Sequence, residues 1–380
     1  MKKRKIIFIS GARADYGLMR ETLLKIKNHK KLEIEIVATG IHLMPKFGMT
    51  VNEIKKDRFK IHELKAVYQE DSKYSMAKFI GKFIQLLIEK IRKARPDMIL
   101  LLGDRAEMLA AAVVGAYLNI SVAHIHGGER SASIDESARH AITKLSHIHL
   151  AATENSAHRI IKMGEDKSRV FIVGAPGLDS ILNDKRIPPK EMAKKYDIDL
   201  SQPVILLIQH PVTTEDSGRH IKETMEAVKE LGLKTIVIYP NADTGGRKMI
   251  EVIERYRKYP FIKIYKNISH KDYLSLMAIA SVIAGNSSGG LIEAPSFKLP
   301  AINIGNRQEG RERTINVIDV GYKKDEIKKA IKKAIYDKKL LKRLTRCKNP
   351  YGDGKTGARI ADILSKILID KKLIQKKISY

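Results

Sequence analysis

The sequence predicts an α/β protein made of two doubly wound, Rossmann-like domains facing each other across a cleft. Three observations predict it. Short, β-branched apolar runs end in glycine-rich or charged turns and are followed by helical patterns. That rhythm stops at Arg186-Ile187-Pro188-Pro189-Lys190, a polar, proline-bearing segment that reads as a linker, and then restarts. A length of 380 residues is long for one domain and natural for two. The expected division is an N-terminal domain over 1–183, a C-terminal domain over 184–357, and a final helix within 358–380 that packs back on the N-terminal domain.

In chain order, Lys5 to Ser10 reads as a buried strand, and Gly11-Ala12-Arg13-Ala14-Asp15-Tyr16-Gly17 as the turn after it. A helix over Leu18–His29 and a strand over Glu33–Thr39 complete a βαβ unit, which implies a parallel sheet. Ligands of such sheets bind beyond the carboxyl ends of the strands, where Arg13 and Asp15 lie. A helix over Ser75–Ala94 is broken by Pro96-Asp97. The strand Met98–Leu102 then ends in Gly103-Asp104-Arg105, and the Ala-rich helix Glu107–Leu118 leads to the strand Ile120–His126, which ends in Gly127-Gly128-Glu129. Two strand ends thus deliver Asp104, Arg105, His126 and Glu129 to one rim. A helix from near Ser133 adds Asp135 and Arg139, four residues apart on one face. After the linker, the strand Val204–Ile208 ends in Gln209-His210, and Thr235–Tyr239 in Pro240-Asn241.

The stretch from Gly285 to Arg313 organises the second half. The strand Ser281–Ala284 runs into Gly285-Asn286-Ser287-Ser288-Gly289-Gly290, and Leu291-Ile292-Glu293-Ala294 reads as a helix start. Backbone N–H groups and the positive end of a helix dipole at such a turn suit a phosphate. Ser287 and Ser288 add hydroxyl donors, and Arg307, Arg311 and Arg313 follow the next strand. A Ser-capped helix with no ligand is the alternative. The tail from Lys323 reads as helical and lysine-rich. Its Gly354-Lys355-Thr356 is not a phosphate-binding P-loop, because Asn349 stands where that motif needs glycine.

Composition narrows the function classes. The chain is 43% hydrophobic with one cysteine, Cys347, which excludes an internal disulfide framework and points to a reducing, cytoplasmic setting. The apolar run Ile6–Ile9 is too short for a signal peptide, and no stretch approaches the ~20 apolar residues of a membrane span. The formal net charge of +28 suits a nucleic-acid binder or a solvated lysine surface around an anionic small-molecule site. No nucleic-acid motif appears, so neither a nucleic acid nor a membrane is an expected partner. No G-x-G-x-x-G follows the first strand, which argues against NAD(P), and no G-x-S-x-G elbow supports a nucleophilic serine.

The rim cluster has three readings. His124, His126, Glu129 and His140 could hold a metal, although no ligand motif supports it. A structural ion-pair network is the second. Acid–base catalysis beside a phosphate leaving group is the third.

GARADYG (11–17), GDRAE (103–107), HIHGGE (124–129), IDESARHAITKLSHIH (134–149), GAPGLD (174–179), QHPVTTE (209–215), YPNAD (239–243), GNSSGGLIEAPSF (285–297) and NIGNRQEGRER (303–313) occur in order over most of the chain. With them the sequence resembles the hydrolysing UDP-N-acetylglucosamine 2-epimerases, which are similar in fold to the GT-B glycosyltransferases. The resemblance implies conversion of UDP-N-acetylglucosamine and water to UDP and N-acetylmannosamine, the first committed step toward sialic acid, with no metal or other cofactor. It implies elimination of UDP to a 2-acetamidoglucal and then hydration. It assigns Asp104 and Asp135 as acid–base carboxylates, His126 and Glu129 to the same catalytic rim, and His210 to the sugar diphosphate. Arg13, Arg105, Asn241, Ser287, Ser288, Gly289, Glu293 and Arg307 match nucleotide-binding positions, with Glu293 on the ribose hydroxyls. A homodimer or homotetramer is implied as well. Two positions depart from the pattern. Ala12 stands where many members have Thr, and His126 where many N-acetylmannosamine producers have Glu. Relatives that hydrolyse UDP-2,4-diacetamido-2,4,6-trideoxyglucose toward legionaminic-type acids are therefore the alternative. A GT-B glycosyltransferase and a non-enzymatic sugar-nucleotide sensor are alternatives of other classes.

Overall fold

The structure is a computed structural model that describes residues 3–45, 48–68, 73–130, 134–183, 186–212, 215–240 and 245–379. The chain divides into two compact units. Unit 1 comprises Met1–Leu182 with Tyr351–Tyr380, and unit 2 comprises Asn183–Pro350. The return crossing falls at Pro350, so the glycine-rich loop through Gly357 belongs to unit 1.

Unit 1 is built on β1 (Arg4–Ser10), β2 (Leu32–Ala38), β3 (Lys60–Glu63), β4 (Met98–Leu102), β5 (Ser121–Ile125), β6 (Ile148–Ala151) and β7 (Val170–Ile172). They form one parallel sheet in the order β3-β2-β1-β4-β5-β6-β7. The period-2 geometry of a strand explains why β1 is apolar throughout. Ile6 and Phe8 point to one face, against Met19 and Leu23 of the helix Arg13–Lys27 and Ile360 and Leu364 of the helix Thr356–Lys366. Ile7 and Ile9 point to the other, against Phe79 and Phe83 of the helix Lys73–Ala94 and Met108 of the helix Ala106–Tyr117. Asp179 fixes the returning helix to unit 1, its carboxylate accepting from the N–H groups of Thr356 at 2.9 Å and Gly357 at 2.6 Å.

Unit 2 contains β8 (Val204–Ile208), β9 (Lys234–Ile238), β10 (Ile262–Tyr265), β11 (Val282–Gly285), β12 (Ala301–Ile304) and β13 (Val317–Val320), in the parallel order β10-β9-β8-β11-β12-β13. Each sheet reverses its winding once. The switch points lie between β1 and β4 and between β8 and β11, and these are where doubly wound sheets bind ligands.

The structure departs from the sequence expectations in several places, one of them the fully buried strand β6, which the sequence reading did not place. The first helix begins at Arg13 instead of Leu18, because Asp15 turns back and accepts from the N–H groups of Gly11 (3.0 Å) and Ala12 (2.9 Å), closing the first turn early. Strand β5 stops at Ile125, and His126 adopts a left-handed φ of 62°, so His124 and His126 do not alternate along one strand face. The expected helix at Glu293 is only the single turn Gly289–Ile292, followed by a 3-10 turn Ala294–Phe297, because Pro295 cannot continue the ladder. The edge strands β3 and β13 are short and their residues are half-buried or exposed; β3 carries a single aliphatic residue, Ile61, and the apolar run of β13 is interrupted by Asp319.

Candidate active site

In unit 1, Asp104 and Arg105 follow β4 at the switch point, and Arg139, from the helix Ile134–Leu145, joins the rim together. Its guanidinium donates to the Asp104 carboxylate, donates to the backbone carbonyl of His126 at 2.9 Å, and stands 3.8 Å from Oε2 of Glu129. His126 Nδ1 and Glu129 Oε1 are hydrogen-bonded. One arginine thus ties a carboxylate from the β4 end to a histidine–carboxylate pair from the β5 end. The left-handed backbone at His126 and the Gly127-Gly128 turn bring Glu129 back to the imidazole. Sequence reasoning placed Arg139 beside Asp135 and missed it as the hub; the only available signal was its i+4 spacing on that helix. Asp135 lies on the first turn of the helix, but its side chain is outside the described residues.

A second set of charges lies at the β1 end. Arg105 Nε donates to Glu107 Oε1 at 2.7 Å and is 3.9 Å from Asp15. Burial pushes the Asp15 pKa up to about 6, against the pull of Arg105 and with the push of Glu107. A Cβ on Gly11 would lie 1.6 Å from Glu107 Oε1, so only glycine lets this carboxylate reach the turn. Arg13 pairs with Glu53 at 3.0 Å on the surface. His42 is bracketed by Ser10 Oγ and Thr50 Oγ1, each at 2.8 Å, and burial lowers its pKa to about 4.

The metal reading does not hold for His124. Its Nε2 bonds the Gly103 carbonyl at 2.8 Å and its Nδ1 the Thr143 hydroxyl at 3.2 Å, and burial lowers its pKa to about 3. It is a buried neutral histidine joining neighbouring strand ends. Among the described residues, no group of three or more His, Cys, Asp or Glu side chains could hold a metal ion.

In unit 2, Asn286 is the brace. Its amide accepts from the His210 N–H at 2.6 Å and donates to the His210 carbonyl at 2.9 Å, joining the β8 and β11 ends. Its own carbonyl takes Arg307 Nη1 at 3.3 Å and Gln308 Nε2 at 2.9 Å. His210, Ser287, Ser288 and Arg307 therefore surround one residue. Gly285, with φ 122°, makes that approach possible, since a Cβ there would sit 1.9 Å from the Ile208 carbonyl. Burial, then the Arg307 guanidinium, lowers the His210 pKa to about 3, so the imidazole is neutral. Ser287 Oγ accepts from Gly289 N at 3.4 Å. Glu293 is buried and its pKa raised by burial. Asn241 lies outside the described residues. Asn286 and Gln308 were not singled out from the sequence; the Asn in Gly-Asn-Ser-Ser was the available signal.

A family profile described as UDP-N-acetylglucosamine 2-epimerase matches residues 24–365. The chain is 42% identical over 380 residues to the UDP-N,N'-diacetylbacillosamine 2-epimerase (hydrolyzing) of Legionella pneumophila, covering 99% of this chain and 100% of that protein. It is 34% identical to a UDP-N-acetylglucosamine 2-epimerase of Neisseria meningitidis, covering 87% of each. Its fold is similar to the crystal structure of UDP-GlcNAc 2-epimerase from Neisseria meningitidis bound to UDP-GlcNAc, with a TM-score of 0.84 at 22% identity, over 96% of this chain and 100% of that one. Two GT-B-like α/β units accord with those matches, and the chain belongs to the UDP-N-acetylglucosamine 2-epimerase family.

Proposed function

We propose that this enzyme is a hydrolysing UDP-sugar 2-epimerase whose substrate is a UDP-linked 2-acetamido sugar, and that this sugar is N,N'-diacetylbacillosamine. The observation that carries the reaction class is the hub at the unit 1 switch point, where Arg139 ties Asp104 to the His126–Glu129 pair. Elimination next to a diphosphate needs a base at C2 and fixed charge around it. With Nδ1–H given to Glu129, the His126 imidazole keeps Nε2 as an acceptor. Asp104 and Asp135 are the carboxylates that move protons. A base takes the C2 proton, the C–H electron pair forms the C1–C2 double bond, the C1–O bond breaks, and UDP leaves. Water then adds hydroxyl to C1 of the 2-acetamidoglycal, and a proton is returned to C2 on the opposite face. The net change consumes one water and gives UDP and the free 2-epimer.

The unit 2 turn holds the nucleotide. Ser287, Ser288 and Arg307 donate to the diphosphate, neutral His210 donates to a phosphate oxygen or to the sugar, and Glu293 accepts from the ribose. The single turn of helix after Ser288 contributes little dipole, so hydroxyl, backbone and arginine donors carry this site. Arg13 and Arg105, which follow β1 and β4 in unit 1, are that unit's own candidates for contact with the anionic substrate.

The sugar assignment rests on the higher identity to the Legionella protein, 42% against 34% for the Neisseria one, and on His126 in place of the Glu of many N-acetylmannosamine producers. UDP-N-acetylglucosamine, giving N-acetylmannosamine for sialic acid, is the second reading, favoured by the Neisseria matches. The single cysteine is buried, which fits a reducing cytoplasm, and a homodimer or homotetramer is part of the proposal. Incubation with each UDP-sugar and no acceptor tests it. UDP and free 2-epimer, formed faster from the diacetamido sugar, are the expected products. Turnover only with an added acceptor would make the protein a glycosyltransferase, and binding without turnover a sensor.

A further inference from the structure

We propose that Glu215 is a positioning residue for the diphosphate, its carboxylate closing a ring of contacts around the turn that carries Ser287 and Ser288 and so holding Arg307 and His210 in place. The inference rests on the reading that Arg307 donates to the diphosphate.

The ring follows from the strand order. In the unit 2 sheet β11 lies between β8 and β12, and β13 lies beyond β12. His210 and Glu215 follow β8, Ser287 and Ser288 follow β11, Asn306 and Arg307 follow β12, and Tyr322 follows β13. Glu215 reaches across this edge. Its Oε1 accepts from Asn306 Nδ2 at 2.8 Å, and its Oε2 accepts from the Tyr322 hydroxyl at 2.6 Å. Arg307 comes directly after Asn306, and its Nη1 donates to the Asn286 carbonyl at 3.3 Å. Asn286 in turn holds both backbone groups of His210. The circuit from His210 through Glu215, Asn306, Arg307 and Asn286 is therefore closed, and Ser287 comes directly after its last member.

The surroundings keep the carboxylate where it is. The His220 ring stacks on the Tyr322 ring, with centroids 3.5 Å apart and planes 6° apart, and its Nδ1 stands 3.3 Å from Glu215 Oε2. Gly305, with φ 79°, lets the tyrosine lie against the chain after β12, since a Cβ there would sit 2.2 Å from the Tyr322 hydroxyl oxygen. The Glu215 N–H donates to the Val212 carbonyl at 3.0 Å, and the Val212 N–H donates to Ser217 Oγ at 3.1 Å.

Charge alone would give Glu215 the opposite effect. A carboxylate on the edge that receives a diphosphate repels it, so a favourable contribution has to come through the groups it holds. An arginine loses rotamer freedom when it engages an anion, and the loss on binding is smaller when the chain beside it is already anchored. Glu215 supplies that anchor at Asn306.

The test is calorimetric titration of UDP into wild type, Glu215→Ala, Asn306→Ala, Arg307→Ala, and the first two changes each combined with Arg307→Ala, with steady-state kinetics of the single variants. Glu215→Ala is expected to weaken UDP about tenfold, the scale of hydrogen bonds to a charged group. Asn306 is exposed, so its truncation leaves the core intact; it is expected to cost about threefold. Either change made in the Arg307→Ala background should cost less than about twofold further, because the group through which it acts is gone. KM should rise with the affinity loss while kcat moves far less. Unchanged or tighter UDP binding in Glu215→Ala, or losses that add in full to that of Arg307→Ala as a general packing defect would, overturn the positioning role. Should Glu215→Ala fail to fold, Asn306→Ala decides by the same criteria. If Arg307→Ala binds UDP as wild type does, the diphosphate reading of Arg307 fails, and the inference falls with it.

Discussion

The two switch points hold similar residue types and use them differently. At the unit 1 end, opposite charges are closed on one another: Arg139 with Asp104 and Glu129, Arg105 with Glu107 and Asp15. At the unit 2 end, a neutral amide, Asn286, braces His210 and the serine turn, and glycines bring the backbone within reach of a ligand. Closed ion networks fix the geometry of the groups they join, which directed proton transfer needs. Hydroxyl and backbone donors on a braced turn can accept an anion without first breaking a salt bridge. On the proposed function, the difference divides the labour, with chemistry in unit 1 and nucleotide holding in unit 2.

The sharpest way to break this division is at Asp104. Asp104→Asn is expected to lower kcat by ~10²–10⁴, the usual contribution of a general acid or base, with UDP affinity by calorimetry close to wild type. A variant that turns over normally, or that loses UDP binding in proportion, would erase the distinction between the two ends. The mirror experiment is Ser287→Ala with Ser288→Ala. It should weaken UDP by roughly 1–3 kcal/mol, the range for hydrogen bonds to charged groups. Unchanged UDP affinity would remove the phosphate role from the turn.

These assignments show how much was readable in advance. Continuous apolar strands such as Ile6–Ile9 and Met98–Leu102 announce buried parallel strands, because both of their faces are covered. The β/α alternation then sets the doubly wound class. Edge strands such as Lys60–Glu63 escape notice because little of them is buried. At the site, residues at strand ends were legible by position: Asp104, Arg105, His126, Glu129, His210, Ser287 and Ser288. What was not legible is which of them touch. Arg139 reaches Asp104 across 35 positions of chain, and Asn286 reaches His210 across 76. Such partners are set by sheet order, and sheet order is not written in local spacing.

Acid response offers a smaller, graded comparison. His42, His124 and His147 in unit 1 have pKa values lowered by burial to about 4, 3 and 4, and His149 is lowered too; in unit 2 the corresponding group is His210, at about 3. Each stays neutral in the folded protein while the unfolded chain takes up a proton near pH 6.5. From pH 6.5 down to about 4 the unfolded state binds more protons, so stability falls as pH falls, by ~1.4 kcal/mol per pH unit for each such histidine. Asp15 and Glu293, whose pKa values are raised, act in the opposite direction, one in each unit. Unit 1 carries more of the buried histidines. Amide exchange followed from pH 7 to 4.5 should therefore show β4 to β6 losing protection relative to β8, β9 and β11. Earlier loss in the unit 2 strands would contradict this.

The central claim is that the enzyme removes and returns a proton at C2 of the sugar while UDP departs, and turnover in D₂O measures it directly. The account predicts free 2-epimer carrying one deuterium at C2, because the returned proton comes from a group that has exchanged with solvent. Product that retains its original hydrogen at C2, with UDP released, would mean the C1–O bond is hydrolysed without elimination and would contradict the account.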